Sequence, residues 1–293
     1  MKYSHENKED TITSSPDIHR DNLRIDCEKC FGFCCVALYF SASEGFPADK
    51  DAGKPCLNLQ SDFSCKVHKD LRSLGLKGCT TYDCFGAGQK VAQITYDGRD
   101  WQQAPESARQ MYEAFLFMRQ LHEMLWYLTE AYVLQPAGRV QGEIKTMLNK
   151  TESLTLLSDD ALLKLDLEAH RAAVNALILQ TSELIRSKIR KGQTALSKRK
   201  KVLGRGLDLI GTDLRKTDLR GENLRGAYLI AADLSGVDLS FADLIGADLR
   251  DTNISGADLA RSMFITQAQI NAAKGNSETK LPKSLSRPIH WQI

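Results

Sequence analysis

The sequence contains no long hydrophobic run and no apolar leader. The most apolar helical stretch, Phe115 to Leu128, is interrupted by Arg119, His122 and Glu123. It therefore falls short of the roughly 18–20 apolar residues that cross a bilayer. The first twenty residues lack the apolar core of a secretory signal. We therefore expect a cytoplasmic protein without a membrane segment.

The chain also has almost no net charge, with 39 basic against 37 acidic side chains in 293 residues. This average gives no indication of a nucleic-acid or membrane partner. A length near 300 exceeds the usual single domain of roughly 100–200 residues, so two or three units are expected. Changes in composition predict a disordered N-terminus, a Cys-rich metal-binding domain, a helical domain, a basic linker, a repeat domain and a C-terminal cap, at residues 1–22, 23–100, 105–192, 193–206, 207–266 and 267–293.

No cysteine occurs after residue 84, and all eight lie between Cys27 and Cys84. A reducing cytosol opposes disulfides, so such a cluster is more often a metal or catalytic site. Thiolates are soft ligands that select zinc or iron, and a two-residue gap lets one turn present two sulfurs to one ion. The candidate metal ligands are the eight cysteines and one nearby histidine: Cys27, Cys30, Cys34, Cys35, Cys56, Cys65, His68, Cys79 and Cys84.

Nine ligands are enough for two four-coordinate sites, or for one iron–sulfur cluster with spare thiols. Adjacent Cys34 and Cys35 cannot easily point at one ion from an extended chain, so they could feed two ions or a bridged cluster, or one of them could be spare. A nucleophilic cysteine would need a base such as His68, and nothing distinguishes one thiol from the others. Metal binding would supply much of the folding free energy of this segment.

The run CEKCFGFCC, followed by KPCLNL, FSCKVH and LRSLGLKGCTTYDC, resembles the bacterial Cys-rich family named for its CxxCxxCC motif and described as zinc- or iron-chelating. The resemblance covers roughly residues 23 to 90. It implies zinc or iron as the cofactor, an iron–sulfur cluster included. The sequence departs from the family pattern at Phe31–Phe33, three residues before the double cysteine, and at His68, where an aromatic residue is usual.

The middle of the chain has the apolar spacing of amphipathic helices. It predicts one helix over about 106–135, ended by Pro136 and Gly138, and a second over 141–148. A third is expected to start at Ser158 as N-cap and to continue towards Arg190. Three such helices would form a hairpin or small bundle that packs on the Cys-rich unit.

Nine basic residues and no acidic residue lie between Arg186 and Arg205. A run of this kind can bind phosphate backbones. Because it separates two ordered segments, a solvated helix end and a linker are the favoured interpretation. Direct contact with nucleic acid is therefore not expected.

From Leu207 to Thr266 the chain divides without gaps into twelve pentapeptides. A period of five places successive leucines about 140° apart on a helix and on alternating faces of a strand, so either structure would leave half of them in water at roughly 1.5–3 kcal/mol each. A stacked solenoid is the remaining solution. The third residue of every repeat is apolar: Leu209, Leu214, Leu219, Leu224, Leu229, Leu234, Leu239, Leu244, Leu249, Ile254, Leu259 and Phe264.

The pattern A-(D/N)-L-x-x resembles the pentapeptide-repeat family. That family implies a right-handed quadrilateral β-helix with four repeats per coil, hence three coils here, with the third residues and the small residues two positions earlier pointing inward. Glu222 occupies a small-residue position, so an irregular first coil is expected there. A short helix at 268–274 and Trp291 are expected to cap the last coil. The predicted fold is multidomain: Cys-rich unit, helical hairpin or bundle, then β-helix.

Known members of this family, quinolone-resistance proteins among them, are long acidic columns that mimic DNA and occupy gyrase. Three coils at a strand spacing near 4.8 Å make a column of only about 14 Å, too short to hold gyrase alone. Two features of the surface could contact a partner. Asp218, Asp238 and Asp258 recur every twenty residues as an acidic ladder. The apolar side chains Ile210, Tyr228 and Ile230 are expected to dock the helices or a second subunit.

The combined layout resembles a group of bacterial proteins in which self-protection against inhibitors of DNA metabolism recurs. It implies a non-enzymatic protection protein acting through protein–protein contacts, with the replication or topoisomerase machinery as candidate partner and a homodimer as candidate assembly. The alternative is a metal- or iron–sulfur-dependent enzyme or redox sensor that uses the column as a scaffold.

Overall fold

The computed structural model describes residues 20–135, 138–193 and 207–291. The predicted disordered N-terminus and basic linker therefore lie almost wholly outside the described residues. Within these ranges a Cys-rich segment, a layer of helices and a coiled column share one contiguous buried core. The units predicted from composition thus pack on one another through apolar side chains.

The Cys-rich segment has little regular structure. Its helices are α1 (Phe33–Ala37), α2 (Lys77–Thr81) and α3 (Ala87–Lys90), the last continued by a π-helical turn at Val91–Thr95. Val36, Phe40 and Cys56 are buried within the segment, outside the shared core, and other side chains insert into the helical layer. Fully buried Phe33 stacks on Phe115 with ring centroids 5.5 Å apart.

The helical layer consists of α4 (Ala108–Leu134), α5 (Arg139–Leu154), α6 (Asp159–Leu162) and α7 (Leu167–Gln193). Helix α4 is central because apolar residues recur on it every three or four positions, and Met111, Phe115 and Met118 are fully buried. No helix in the described ranges is both long and apolar enough to span a membrane.

The prediction of one helix after Ser158 was wrong, because the chain forms two. Ser158 caps α6 as expected, its Oγ accepting from the Ala161 N–H at 3.4 Å. Hydrogen bonds from a backbone N–H to the carbonyl three residues earlier then end this helix after Leu162. Asp166 starts α7 anew, since its carboxylate accepts from the Ala169 N–H at 2.9 Å.

The repeats form a column in which the chain returns to the same side after twenty residues. Asp208 pairs with Tyr228 and Tyr228 with Asp248 in parallel bridges, so each coil holds four pentapeptides and the twelve repeats make three coils. The bridges are isolated, and no longer strand occurs in the part of the chain that the structure describes. The right-handed sense of the coil stays a prediction.

The predicted core of the column is confirmed. Each third residue is at most 9% exposed, and Ala227, Ala232, Ala242, Ala247 and Ala257 are buried beside them. The coil is not irregular at Glu222, whose carbonyl accepts from the Asp243 N–H at 3.0 Å in the regular ladder.

The second residue of each repeat has a local role that explains the preference for Asp or Asn. In all ten repeats that have one of these residues, the side-chain oxygen accepts from the backbone N–H two positions on, at 2.8–3.3 Å. Such a bond holds the turn that follows each side of the coil. Tyr228 and Met263 are the exceptions and lack this acceptor.

One side of the column docks on the helices. The Ser182 hydroxyl on α7 donates to Asp243 at 2.5 Å, and Arg225 pairs with the same carboxylate at 3.1 Å. On α4, Glu130 accepts from the Phe264 N–H at 2.7 Å. The helices therefore cover the fourth side of each coil, where the second residues are Asn223, Asp243 and Met263.

The C-terminal end of the column is capped as predicted. Helix α8 (Gln267–Ala272) starts with a capping box between Thr266 and Gln269. Trp291 is buried and donates to the Ala273 carbonyl at 3.1 Å. Asn271 of α8 donates to the Thr80 carbonyl at 3.3 Å, so the cap also contacts the Cys-rich segment.

Candidate functional site

All eight cysteines are free thiols gathered in the Cys-rich segment. Cys34 and Cys35 lie on α1, Cys79 on α2, and buried Cys84 directly before α3. Cys27 and His68 are exposed, and each is the first residue of a 3₁₀ turn. The remaining thiols, on Cys30, Cys56 and Cys65, lie in connecting loops.

Several thiols accept backbone hydrogen bonds from amides that follow them in the chain. The Asn58 N–H donates to Cys56 at 3.5 Å. Similar bonds oppose the effect of burial on the thiol pKa at Cys30, Cys65 and Cys84, where burial raises it. N–H donors stabilise the thiolate that binds metal, but burial outweighs them here, so the pKa of each of these three thiols is raised.

Electrostatic neighbours divide the eight thiols into two sets of four. In the first set, burial and then the thiols of Cys84 and Cys27 raise the pKa of Cys30 to about 12. The pKa of Cys34 is raised mainly by its hydrogen bond to Cys35 and by burial, and further by the thiols of Cys30 and Cys84. Because of these last two neighbours, Cys34 belongs to the same set.

In the second set, burial and then the thiols of Cys35, Cys56 and Cys65 raise the pKa of Cys79 to about 12. The first set is thus Cys27, Cys30, Cys34 and Cys84, and the second is Cys35, Cys56, Cys65 and Cys79. The sets overlap at Cys27, because burial and then Cys84 of the first set, with Cys35 and Cys65 of the second, raise the pKa of Cys27 to about 11. The adjacent sulfurs of Cys34 and Cys35, 3.9 Å apart, join the two sets.

A lysine that the sequence analysis missed lies beside the second set. The Lys50 ammonium donates to the carbonyls of Val36, Leu38 and Asp51 and sits 4.4 Å from the Phe40 ring centroid. Burial lowers its pKa, while the thiols of Cys56, Cys35 and Cys34 oppose that effect. No sequence motif marks Lys50, because its position depends on the antiparallel bridge between Phe40 and Lys50.

The donor types fit a soft metal ion, whereas the side-chain positions do not yet form a coordination shell. Within the described ranges no three His, Cys, Asp or Glu side chains have an arrangement that could hold an ion. Gly88 leaves room for one sulfur, since a Cβ there would stand 2.5 Å from the Cys30 Sγ. Metal binding would therefore require the thiols to rotate together.

Most acidic side chains of the column already have basic partners. Arg215, Arg220 and Arg250 each bind the Asp two positions earlier at 2.6–2.8 Å. Within the predicted acidic ladder, Asp218 pairs with Arg220 and Asp258 with Lys280 at 3.0 Å. These ion pairs reduce the negative potential that mimicry of a DNA duplex would require.

The predicted apolar patch is only partly explained by the fold. Ile210 and Tyr228 are each 52% exposed. The helices dock on another side of the column, around Asp243 and Phe264. The expectation that this patch docks the helical domain is therefore wrong, and the second-subunit alternative stays a prediction.

Arg186 and Arg190, at the start of the predicted basic run, belong to α7 and pair with Glu183 at 2.5 and 2.7 Å. Arg186 is buried. The end of the basic run, from Lys198 to Arg205, lies outside the described residues.

Comparison with known proteins gives one family model and one close relative. A model of pentapeptide repeats matches residues 223–261 in eight copies. A protein of Bacillus subtilis (strain 168), "Uncharacterized protein YybG", is 55% identical over 281 residues, which cover 96% of this chain and 99% of that protein. No solved structure matches the chain. The chain therefore belongs to the family of Bacillus subtilis YybG, as a pentapeptide-repeat protein.

Proposed function

We propose that this protein is a non-enzymatic interaction protein whose column presents the side containing Ile210 and Tyr228 to a protein partner. The observation that carries the proposal is that Ile210 and Tyr228 lie on the same side of adjacent coils and are both half exposed. Exposed apolar and aromatic side chains grouped on a rigid surface are typical of protein interfaces.

The cellular role we propose is protection against an inhibitor of DNA metabolism. It is supported by the layout of Cys-rich unit, helices, short column and tail, which resembles the oxetanocin A resistance protein, a factor against a nucleoside analogue. The partner would be part of the replication or topoisomerase machinery in the cytoplasm. Because the Asp residues of the column pair with Arg and Lys, recognition would use the apolar patch rather than imitate DNA.

The test measures the inhibitory concentration of a nucleoside analogue, and of a quinolone, for cells that express the protein. Tyr228→Asn should abolish protection without unfolding the column, because Asn223 and Asn253 already fill the equivalent position. Leu156→Asn is the matched control, since Leu156 is also more than half exposed but lies on the helical layer. No protection by the wild type would refute the cellular role, and equal protection by Tyr228→Asn would refute the patch.

We further propose that the two thiol sets bind zinc or iron. The support is the soft donor set, the N–H donors to sulfur and the space that Gly88 leaves beside Cys30. Each set supplies four thiolates, with His68 as a substitute ligand near Cys65. A bound zinc ion would cross-link the segment, and an iron–sulfur cluster would add a redox centre. Lys50 would offset the negative charge of the second set.

Elemental analysis and an absorption spectrum of purified protein test the metal proposal. Two zinc ions per chain without a visible band would support two structural sites, whereas a brown colour near 400 nm would indicate an iron–sulfur cluster. Cys30→Ser and Cys79→Ser should each remove one of two ions. Loss of both ions from either variant would refute the division into two sets, and metal-free wild-type protein would refute the site.

One observation favours a redox sensor as a second candidate function. The sulfurs of Cys34 and Cys35 are 3.9 Å apart, and the hydrogen bond between them lowers the pKa of Cys35. A thiolate at Cys35 would react first with electrophiles. Mass spectrometry after brief treatment with iodoacetamide should then find Cys35 modified before exposed Cys27, and the reverse order would exclude this candidate.

A further inference from the structure

The sulfurs of Cys34 and Cys35 form a close pair on helix α1, 3.9 Å apart. In an extended chain adjacent cysteines diverge, because neighbouring side chains point to opposite faces. Helix α1 removes that obstacle, since successive side chains on a helix are only about 100° apart around the axis. The two thiols are therefore placed to bind one and the same atom.

The fold holds this pair in position. The Cys35 N–H donates to the Gly32 carbonyl at 2.8 Å, and the Cys35 carbonyl accepts from the Cys56 N–H at 2.9 Å. The first residue of α1, fully buried Phe33, stacks on Phe115 and anchors the helix to the helical layer. A pair whose backbone is already fixed loses little conformational freedom when both sulfurs bind a ligand.

The same geometry keeps the pair from forming a disulfide with itself. Adjacent Cα atoms are about 3.8 Å apart across a trans peptide, which is less than the roughly 4.4–6.8 Å that the Cα atoms of a disulfide usually span. Oxidation of Cys34 with Cys35 would therefore distort α1. Both cysteines are free and partly exposed, so a small reagent can reach a reduced dithiol here.

The number and spacing of the sulfurs indicate the class of ligand. A tetrahedral ion needs four donors, and no three metal-binding side chains in the described ranges are arranged to hold an ion. A linear two-coordinate ion would hold its sulfurs about 4.6 Å apart, at roughly 2.3 Å per bond. A trivalent arsenic atom that carries one carbon group is a soft centre that needs only two thiolates, side by side. This is the arrangement of Cys34 and Cys35.

We propose that the reduced pair of Cys34 and Cys35 binds a monosubstituted trivalent arsenical, the class to which phenylarsine oxide belongs. Two As–S bonds form, and the bonds between arsenic and its oxygen break. The two thiol protons leave with that oxygen as one water molecule. Arsenic stays trivalent, so the step needs neither an oxidant nor a reductant. The proposal does not depend on metal binding, although a metal ion on either thiol would compete with the arsenical.

The test is intact-protein mass spectrometry of the reduced, full-length chain, treated with a chelator and then with one equivalent of phenylarsine oxide. We expect one phenylarsenic group per chain, added with the loss of one water. The adduct should survive excess 2-mercaptoethanol and be reversed by 2,3-dimercaptopropanol, because only a second dithiol competes with a chelate. Tryptic cleavage after Lys29 and Lys50 should leave the group on the peptide that contains both cysteines.

Cys34→Ser and Cys35→Ser should each lose the adduct that resists 2-mercaptoethanol. Cys30→Ser is the matched control, because Cys30 lies on the same tryptic peptide but outside α1, and this variant should keep the adduct. No resistant adduct in the wild type, an adduct on another peptide, or an equal loss in Cys30→Ser would each overturn the proposal. Purified protein without metal would refute the metal sites, whereas this proposal would stand if the adduct then formed without a chelator.

Discussion

Arg225 and Asp243 form a buried ion pair within the column, and Asp243 also contacts Ser182 of α7. The contact between α7 and the column should therefore depend on this pair, and Arg225→Met tests it. Arg225 and Asp243 are 3.1 Å apart, with side chains 10% and 0% exposed. Removing one partner of a buried pair costs about 3–5 kcal/mol, because the other charge stays buried without compensation. Asp243 would keep its bonds from the Ser182 hydroxyl and the Ile245 N–H, so a loss near about 3 kcal/mol is expected.

Urea denaturation followed by circular dichroism measures this loss, and hydrogen exchange shows where it occurs. Exchange is needed because a protein of several packed units need not unfold in one step. Amides of α7 and of the coil around Asp243 should exchange faster in Arg225→Met. Amides of the Cys-rich segment, which contacts other elements, should not change.

The column provides a matched exposed pair as control. Arg215 pairs with Asp213 at 2.8 Å, but the side chains are 55% and 57% exposed. Arg215→Met should leave the urea midpoint unchanged within error, because solvent screens such pairs. Adding Asp243→Asn to Arg225→Met should restore part of the lost stability, since Asn removes the unpaired buried carboxylate and keeps an acceptor for the Ile245 N–H. Equal losses in Arg225→Met and Arg215→Met, or no recovery in the double variant, would refute the reasoning.

Four further substitutions test other parts of the fold by urea denaturation. Burial raises the pKa of Glu130 from its ordinary 4.5 to about 7, so its stabilising contribution is complete below pH 4.5 and is lost as pH rises through 7. Glu130→Gln should therefore flatten the decline in the free energy of unfolding between pH 5 and 7. An unchanged slope would contradict this. Ala231→Gly should stabilise the protein by up to about 1 kcal/mol, because Ala231 has a φ of 55°. Gly142→Ala should stabilise it by a similar amount, because Gly142 lies in an exposed helix with open space around it. A loss of stability in either variant would show that backbone conformation does not govern these positions. Gly275→Ala should cost about 1–3 kcal/mol, because a Cβ there would stand 2.7 Å from the Trp291 ring, and an unchanged midpoint would mean that the cap shifts freely.

The column could be predicted almost completely because each of its units repeats the same local solution. A leucine at the third position and an Asp or Asn at the second determine the inward side chain and the turn within five residues. The break between α6 and α7 was missed for the opposite reason. The apolar spacing continues across it, and only the bond from Asp166 to the Ala169 N–H shows that a new helix begins.

The cysteines of the candidate site could be listed from the sequence, their arrangement could not, and their role as metal ligands stays a prediction. Cysteine spacing indicated a soft metal site, yet the division into two sets depends on how α1 brings Cys34 and Cys35 to different neighbours. A cavity of about 210 Å³ that Tyr127 lines could not be predicted at all. Its walls come from residues up to about 190 positions apart, and no local pattern links Thr81 to Gln269.

Departures from the repeat pattern indicate where the column meets other surfaces. Among the twelve second positions, Tyr228 and Met263 alone lack the carbonyl oxygen that would hold the following turn. At Met263 the loss is offset, because the side chain is fully buried on the side that docks the helices. Glu222, a charge at a small-residue position, is also buried on that side. Tyr228 has lost the same hydrogen bond and yet remains half exposed. The described part of the chain offers no compensation there, and this is why the proposed function places a partner on this side of the column.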